Sequence, residues 1–221
     1  MLSCSSGITS ICQSLSESTR TVESPRPVKI LTICTGNICR SPVAERLLQA
    51  GLDQVLPGVF HVRSAGTQAM VGDPIQPSSA SIIRSYGGNA EGFVARQLTP
   101  AMLREADLVL AMTSKHRGEV MQMDATLLRR TFTIREFARM VTVLDRQDSP
   151  STAEAADPAG MWRSLPVRAA SVRHLALAEH QSANDVADPY RRGEEAYRQM
   201  EDELAPAILT ILRFARVRAG K

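Results

Sequence analysis

Val28-Lys29-Ile30-Leu31-Thr32-Ile33-Cys34-Thr35-Gly36-Asn37-Ile38-Cys39-Arg40-Ser41-Pro42 decides the fold. The first six residues are mostly apolar and β-branched, the composition of a strand buried on both faces. Beyond Pro42, Val43, Leu47, Leu48 and Leu52 recur at helical spacing, which predicts a helix over residues 43–56. A strand, a tight loop and a helix N-terminus therefore follow one another, with a thiol at the start of the loop and a guanidinium at its end. Gly36 and Asn37 are residue types that readily take φ > 0, as a loop needs if its amides are to converge. Ser41 reads as the N-cap and Pro42 as the first helical residue. Free N–H groups at such a terminus attract an anion of phosphate size.

The same field favours the thiolate of Cys34, a nucleophile for phosphorus. Arg40 can grip two oxygens of a dianion through its planar fork. The hydroxyl of Ser41 can donate to the sulfur. On spacing alone, a buried Cys in a glycine turn with Arg40 at the surface is an equally structural account of Cys-x5-Arg. A displacement of this kind also needs a proton donor for the leaving oxygen. Asp188-Pro189-Tyr190 offers one, since Pro189 holds Asp188 in an extended or turn conformation ahead of the last helical pattern. Asp73-Pro74 and Asp157-Pro158 are the same dipeptide and read as ordinary turns.

Residues 34–42 together with Asp188-Pro189-Tyr190 resemble the low-molecular-weight protein tyrosine phosphatase family, bacterial branch. Arg63-Ser64-Ala65-Gly66-Thr67, Ala95-Arg96-Gln97-Leu98-Thr99 and Ala106-Asp107-Leu108-Val109-Leu110-Ala111-Met112 resemble it in the same order. The resemblance implies Cys34 as nucleophile, Arg40 as phosphate clamp and Asp188 as general acid and then general base. It implies Thr35, Gly36, Asn37, Ile38, Cys39, Ser41, Met70 and Tyr190 as the substrate-binding set. Within that set Asn37 shapes the loop, Ser41 steadies the thiolate and Tyr190 walls the cleft. Cys39 resembles the redox-protective second cysteine, which can pair reversibly with the nucleophile. No cofactor and no metal are implied. The implied partner is a phosphotyrosine protein, such as a bacterial tyrosine kinase of a surface-polysaccharide pathway.

Three positions bear on substrate. Ile38 stands where the related bacterial arginine phosphatases resemble one another in carrying Thr, and a bulky apolar residue suits a phenyl ring. Tyr190 points the same way, because those relatives tend to carry Phe there. Met70 takes the place of a cleft wall that is aromatic in animal members, and its soft side chain adapts to several ligands. Phe93 lies where many members have a His supporting the loop, so the network behind Asn37 has to close otherwise, with Ser64 the nearest choice. Arginine dephosphorylation is the alternative activity. Arsenate reduction coupled to a low-molecular-weight thiol is a further one, while the thioredoxin-coupled kind lacks cysteines after Cys39.

Composition fits an enzyme of this kind. The 221 residues carry a net charge of +3, and Lys29, Lys115 and Lys221 are the only lysines among the 26 basic residues. Basic and acidic residues are interspersed, so nucleic-acid binding is not expected. No apolar run reaches the roughly 18 residues that a membrane span needs. Cys4, Cys12, Cys34 and Cys39 do not make a secreted disulfide framework, which reads as a cytoplasmic protein.

The expected architecture is α/β: a doubly wound, four-stranded parallel sheet with helices on both faces, flavodoxin-like, with the ligand past the carboxyl end of strand one. Residues 1–27 read as a disordered tail and residues 28–221 as a single domain. Strands are expected at 28–33, 59–64, 108–112 and 132–134. Helices are expected at 77–86, 100–106, 114–122, 125–128, 135–144 and 194–217, the last kinked or broken at Pro206. Residues 145–187 read as an insertion, with a helix over 165–180 and Trp162 able to pack the segment onto the core. Of the histidines, His61 points outward from strand two, His116 reads as a surface helix residue, and His174 and His180 are too isolated for a metal site. Arg96 reads as ordering its own loop.

Overall fold

A computed structural model describes residues 26–149 and 151–221. The expected tail, and with it Cys4 and Cys12, lies almost wholly outside the described residues. Among the described residues four strands, β1 (Val28–Cys34), β2 (Phe60–Gly66), β3 (Leu108–Ala111) and β4 (Thr131–Thr133), form one sheet in the order β2-β1-β3-β4. Every pairing is parallel. The chain leaves β1 for one edge and then returns to its other side. The switch point therefore lies between β1 and β3, at their carboxyl ends.

Among the described residues eight helices accompany the sheet: α1 (Arg40–Val55), α2 (Pro77–Ser85), α3 (Pro100–Glu105), α4 (Ser114–Met123), α5 (Ile134–Gln147), α6 (Thr152–Ala156), α7 (Pro158–Ser171) and α8 (Glu194–Arg218). The sheet parts two apolar layers. Ile30, Val62, Leu108 and Leu110 join α1, α5, α7 and α8 in the larger, while Leu31, Ile33 and Val109 join Leu103 and Val120 in the smaller. Apolar residues on both faces explain why the strand sequences do not alternate. Among the described residues no helix is long and apolar enough to cross a membrane.

Three expectations need correction. The helix after the loop starts at Arg40, and Cys39 holds the N-cap position without any side-chain cap. Ser41 and Pro42 lie inside the first turn because the Ser41 hydroxyl is drawn to the sulfur of Cys34 instead. The helix expected over 165–180 is α7, which begins at Pro158 and stops at Ser171. Asp157-Pro158, which reads as an ordinary turn in the sequence, is instead its start: the Asp157 carboxylate accepts from Gly160 N and Pro158 fills the first turn. Helix α8 runs unbroken through Pro206. Proline removes one donor there, and packing of Leu204, Ile208, Ile211 and Phe214 in the core holds the helix together.

Trp162 of α7 is fully buried, edge-on to Phe60 of β2 at 4.9 Å between ring centroids and near Phe214 of α8 at 6.2 Å. Arg218 ends α8 fully buried. It donates to Glu154 of α6 and to the carbonyls of Leu144 and Asp148. These contacts tie residues 152–171 to the sheet and to both long helices.

Candidate active site

The loop from Cys34 to Arg40 is built outward-in. The carbonyls of Cys34, Thr35 and Gly36 accept from Thr67 N, Gln68 N and Met70 N at 2.9–3.0 Å. The Ile38 carbonyl accepts from Gln76 N at 2.9 Å. With the carbonyls bound on the outside, the peptide planes turn their amides toward the loop's concave side, next to the uncapped first turn of α1. A Cβ on Gly66 would sit 2.3 Å from the Thr35 carbonyl, so only glycine admits this close approach. Of Gly36 and Asn37, Asn37 carries the left-handed backbone, at φ 56°, and Gly36 does not.

Cys34 is 2% exposed as a residue, and its sulfur lies 2.9 Å from Ser41 Oγ and 3.3 Å from the amide of Asn37, which donates to it. Asn37 is fully buried and organises the rest. Its amide nitrogen donates to Ser41 Oγ and Ser64 Oγ, and its carbonyl oxygen accepts from Arg96 N. Ser64 in turn donates to the buried carboxylate of Glu45. Ser64 thus closes the network where the sequence left a gap. Phe93 backs it with its ring under the guanidinium groups of Arg46 and Arg96, whose nitrogens lie 3.9 and 3.8 Å from Glu45. Arg96 orders this region through its backbone N–H as well as its charge. Glu45 was missed by sequence reasoning; its signal was a carboxylate at helical spacing from Ser41 on the same face of α1.

Arg40 is 4% exposed. It donates to the Val186 carbonyl at 3.2 Å and forms an ion pair with Asp188 at 2.8 Å. The residues before Asp188 are fixed from three elements. Ser114 donates both N–H and hydroxyl to the Asp185 carboxylate, and Arg135 donates to the Asp185 carbonyl. Val186 N donates to the Met112 carbonyl, and Ala187 N donates to Glu203 of α8. Asp188 itself accepts from Tyr190 N at 3.3 Å, with its side chain 43% exposed. Cys34, Thr35, Gly36, Ile38, Cys39, Arg40, Met70, Asp188 and Tyr190 line one cleft of about 210 Å³ together with Gln68. Asn37 and Ser41 lie beneath its floor.

Cys39 faces Tyr197 Oη at 3.6 Å, and burial pushes its thiol up to about 11. It is therefore protonated at neutral pH. His116 overturns the expectation of a surface residue. It is 3% exposed, and its ring nitrogens lie 2.8 Å from Thr35 Oγ1 and 2.8 Å from Thr113 Oγ1. Burial, with the Arg40 charge adding to it, lowers its pKa to about 4, so the ring is neutral. Position on a polar helix with little amphipathic pattern concealed it, because its ring partners, Thr35 and Thr113, lie in the turns after β1 and β3 rather than on α4 itself.

The model of the family described as low molecular weight phosphotyrosine protein phosphatase matches residues 29–148, more than half of the chain. A low molecular weight protein-tyrosine-phosphatase of Escherichia coli K12, Etp, is 46% identical over 91 residues, which cover 41% of this chain and 58% of Etp. Wzb of Salmonella typhi, of the same description, is 41% identical over 92 residues, covering 40% of this chain and 56% of Wzb. The chain thus spans less than two thirds of the length of these relatives. Among solved structures, the Erwinia amylovora tyrosine phosphatase AmsI superposes with a TM-score of 0.59 at 25% identity, covering 85% of this chain and 92% of AmsI. The YwlE arginine phosphatase of Geobacillus stearothermophilus superposes with 0.58 at 27% identity, over 85% and 92%.

Proposed function

We propose that this chain, which belongs to the low molecular weight phosphotyrosine protein phosphatase family, hydrolyses phosphotyrosine in proteins through a cysteinyl-phosphate intermediate. The observation that carries the reading is the convergence of Cys34, Arg40 and Asp188 on one cleft, with donors already aimed at the sulfur. The sulfur attacks phosphorus in line as the bond to the aryl oxygen breaks. Arg40 and the first-turn amides take the equatorial oxygens, where they stabilise the transition state. A phosphoryl group that occupies the Arg40 fork breaks the ion pair with Asp188; the freed carboxylate, beside the dianion, takes up a proton from solvent and delivers it to the leaving oxygen. In the second step Asp188 takes a proton from water, the oxygen of that water bonds to phosphorus and the S–P bond breaks. Hydrogen bonds from Ser41 and Asn37 then stabilise the departing thiolate.

Ile38, Met70 and Tyr190 give the cleft apolar walls, which favours a phenyl ring over a guanidinium. The likeness to an arginine phosphatase makes phosphoarginine the competing substrate. Phosphate release from a phosphotyrosine and a phosphoarginine peptide, measured side by side on reduced protein without metal, decides between them. Preference for phosphotyrosine is expected; preference for phosphoarginine overturns the role given to Ile38 and Tyr190. In the same reading the protein works in the cytoplasm, where Cys39 protects Cys34 by reversible pairing. Its partner is a phosphotyrosine protein such as a bacterial tyrosine kinase of a surface-polysaccharide pathway. Residues 28–221 act as one domain with an insertion over 145–187. The end of the family match at residue 148 supports that boundary.

A further inference from the structure

The crevice between β1 and β3 brings two turns together. Thr35 follows β1, and Thr113 and His116 follow β3. The geometry points to the Thr35 hydroxyl as a hydrogen-bond donor to the bound phosphoryl group, set in that role by His116, a positioning residue. The inference rests on the phosphatase reading above.

Thr113 Oγ1 already accepts the backbone N–H of His116 at 3.2 Å. Under this inference its hydroxyl hydrogen goes to Nδ1 of the same residue, 2.8 Å away, which leaves one lone pair of Oγ1 for the backbone N–H. A neutral imidazole carries one proton. With Nδ1 accepting, that proton is on Nε2, which donates to Thr35 Oγ1 at 2.8 Å. The oxygen of Thr35 is thus a hydrogen-bond acceptor on the His116 side. Its own hydrogen is turned elsewhere, and Thr35 is one of the residues lining the cleft beside Cys34 and Arg40. A dianion in the loop is the acceptor of that chemistry. Burial of the ring keeps it neutral, so the chain from Thr113 to Thr35 runs in one direction. Lys115 and Glu119 of α4, Arg40 of α1 and Asp188 are the charged groups around the ring.

The test compares Thr35→Val, Thr35→Ser, His116→Ala, His116→Gln and the double variant Thr35→Val/His116→Ala. Two quantities are read: kcat/KM for p-nitrophenyl phosphate and Kd for inorganic phosphate. Thr35→Val is expected to weaken both by roughly ten- to a hundredfold, the loss of one bond to a charged group. Thr35→Ser and His116→Gln, which keep the donors, recover most of it. The double variant falls no further than Thr35→Val, because His116 acts through Thr35. The ¹⁵N shifts of the His116 ring should report the proton on Nε2. Wild-type values in Thr35→Val, multiplying losses in the double variant, or the proton on Nδ1 each overturn the inference. Phosphate binding without turnover in the wild type refutes the phosphatase reading alone, and phosphate affinity in Thr35→Val still decides the role of Thr35.

Discussion

The loop at residues 34–40 and the approach to Asp188 at residues 185–190 meet across one ion pair but are held in different ways. The loop hangs on a local frame. Asn37, Ser41, Ser64 and Glu45 form a continuous buried chain of hydrogen bonds, and the outer carbonyls are taken by the 67–76 segment. The approach to Asp188 has no frame of its own. It is pinned from outside, by three bonds from the turn after β3 and one each from α5 and α8. The first arrangement keeps its shape through redundancy. The second depends on elements that are far apart in sequence.

That difference predicts unequal consequences at the two reacting groups. Cys34→Ser should abolish turnover while inorganic phosphate still binds, since the frame around residue 34 does not depend on the sulfur. Turnover close to wild type would remove Cys34 from the mechanism. Asp188→Ala should slow a phenyl phosphate by about 10²–10⁴, the range of general acid catalysis. Nitrophenyl phosphate, with its better leaving group, should suffer far less. Equal losses on both substrates would show that Asp188 holds Arg40 rather than delivering a proton.

The same contrast explains what the sequence could show. Cys34 to Arg40 was legible because its chemistry is contiguous: a strand, two turn formers and a helix start leave few ways to arrange the thiol and the guanidinium. The sheet was legible for the same reason, through its apolar strands. Ser64 was foreseen as Asn37's partner once Phe93 was seen to lack a polar atom. Glu45, Asp185, Glu203 and His116 were not foreseen. Each acts over a long distance in sequence, and each looks like an ordinary solvated polar residue on its own helix or loop. The Ser41 cap failed for a related reason: a hydroxyl suited to capping bonds the nearest better partner, and the fold supplies the Cys34 sulfur.

Away from the cleft, Trp162 tests whether residues 152–171 belong to the core or decorate it. The indole lies fully buried between Phe60 and Phe214. Trp162→Ala should cost about 3–5 kcal/mol of stability, the range for removing a buried aromatic. Denaturant melts read that loss, and kcat of the folded fraction should stay close to wild type. A loss under about 1 kcal/mol would mark α7 as a surface excursion.

The smallest expected effect concerns His116 and acid. Its pKa in the folded protein, lowered to about 4 by burial and by Arg40, lies below the roughly 6.5 of an unfolded histidine. Between those values the unfolded chain binds the proton and the folded one resists it, so protonation favours unfolding. The contribution of the neutral ring is complete above about pH 6.5 and declines as the pH falls toward 4; at pH 5 about 2 kcal/mol is already gone. His116→Gln cannot titrate and should lose correspondingly less stability between pH 7.5 and pH 5 than the wild type. Glu154 responds in the same direction but lower on the scale. Burial raises its pKa, yet the hydrogen bonds from Arg168 and Arg218 prevail and hold it below the usual carboxylate value, so its contribution fades only on further acidification. The comparison at pH 5 therefore isolates the histidine. Parallel stability curves for the two proteins would mean that the ring takes up its proton without leaving Thr35, and that the turn after β3 is looser than its hydrogen bonds imply.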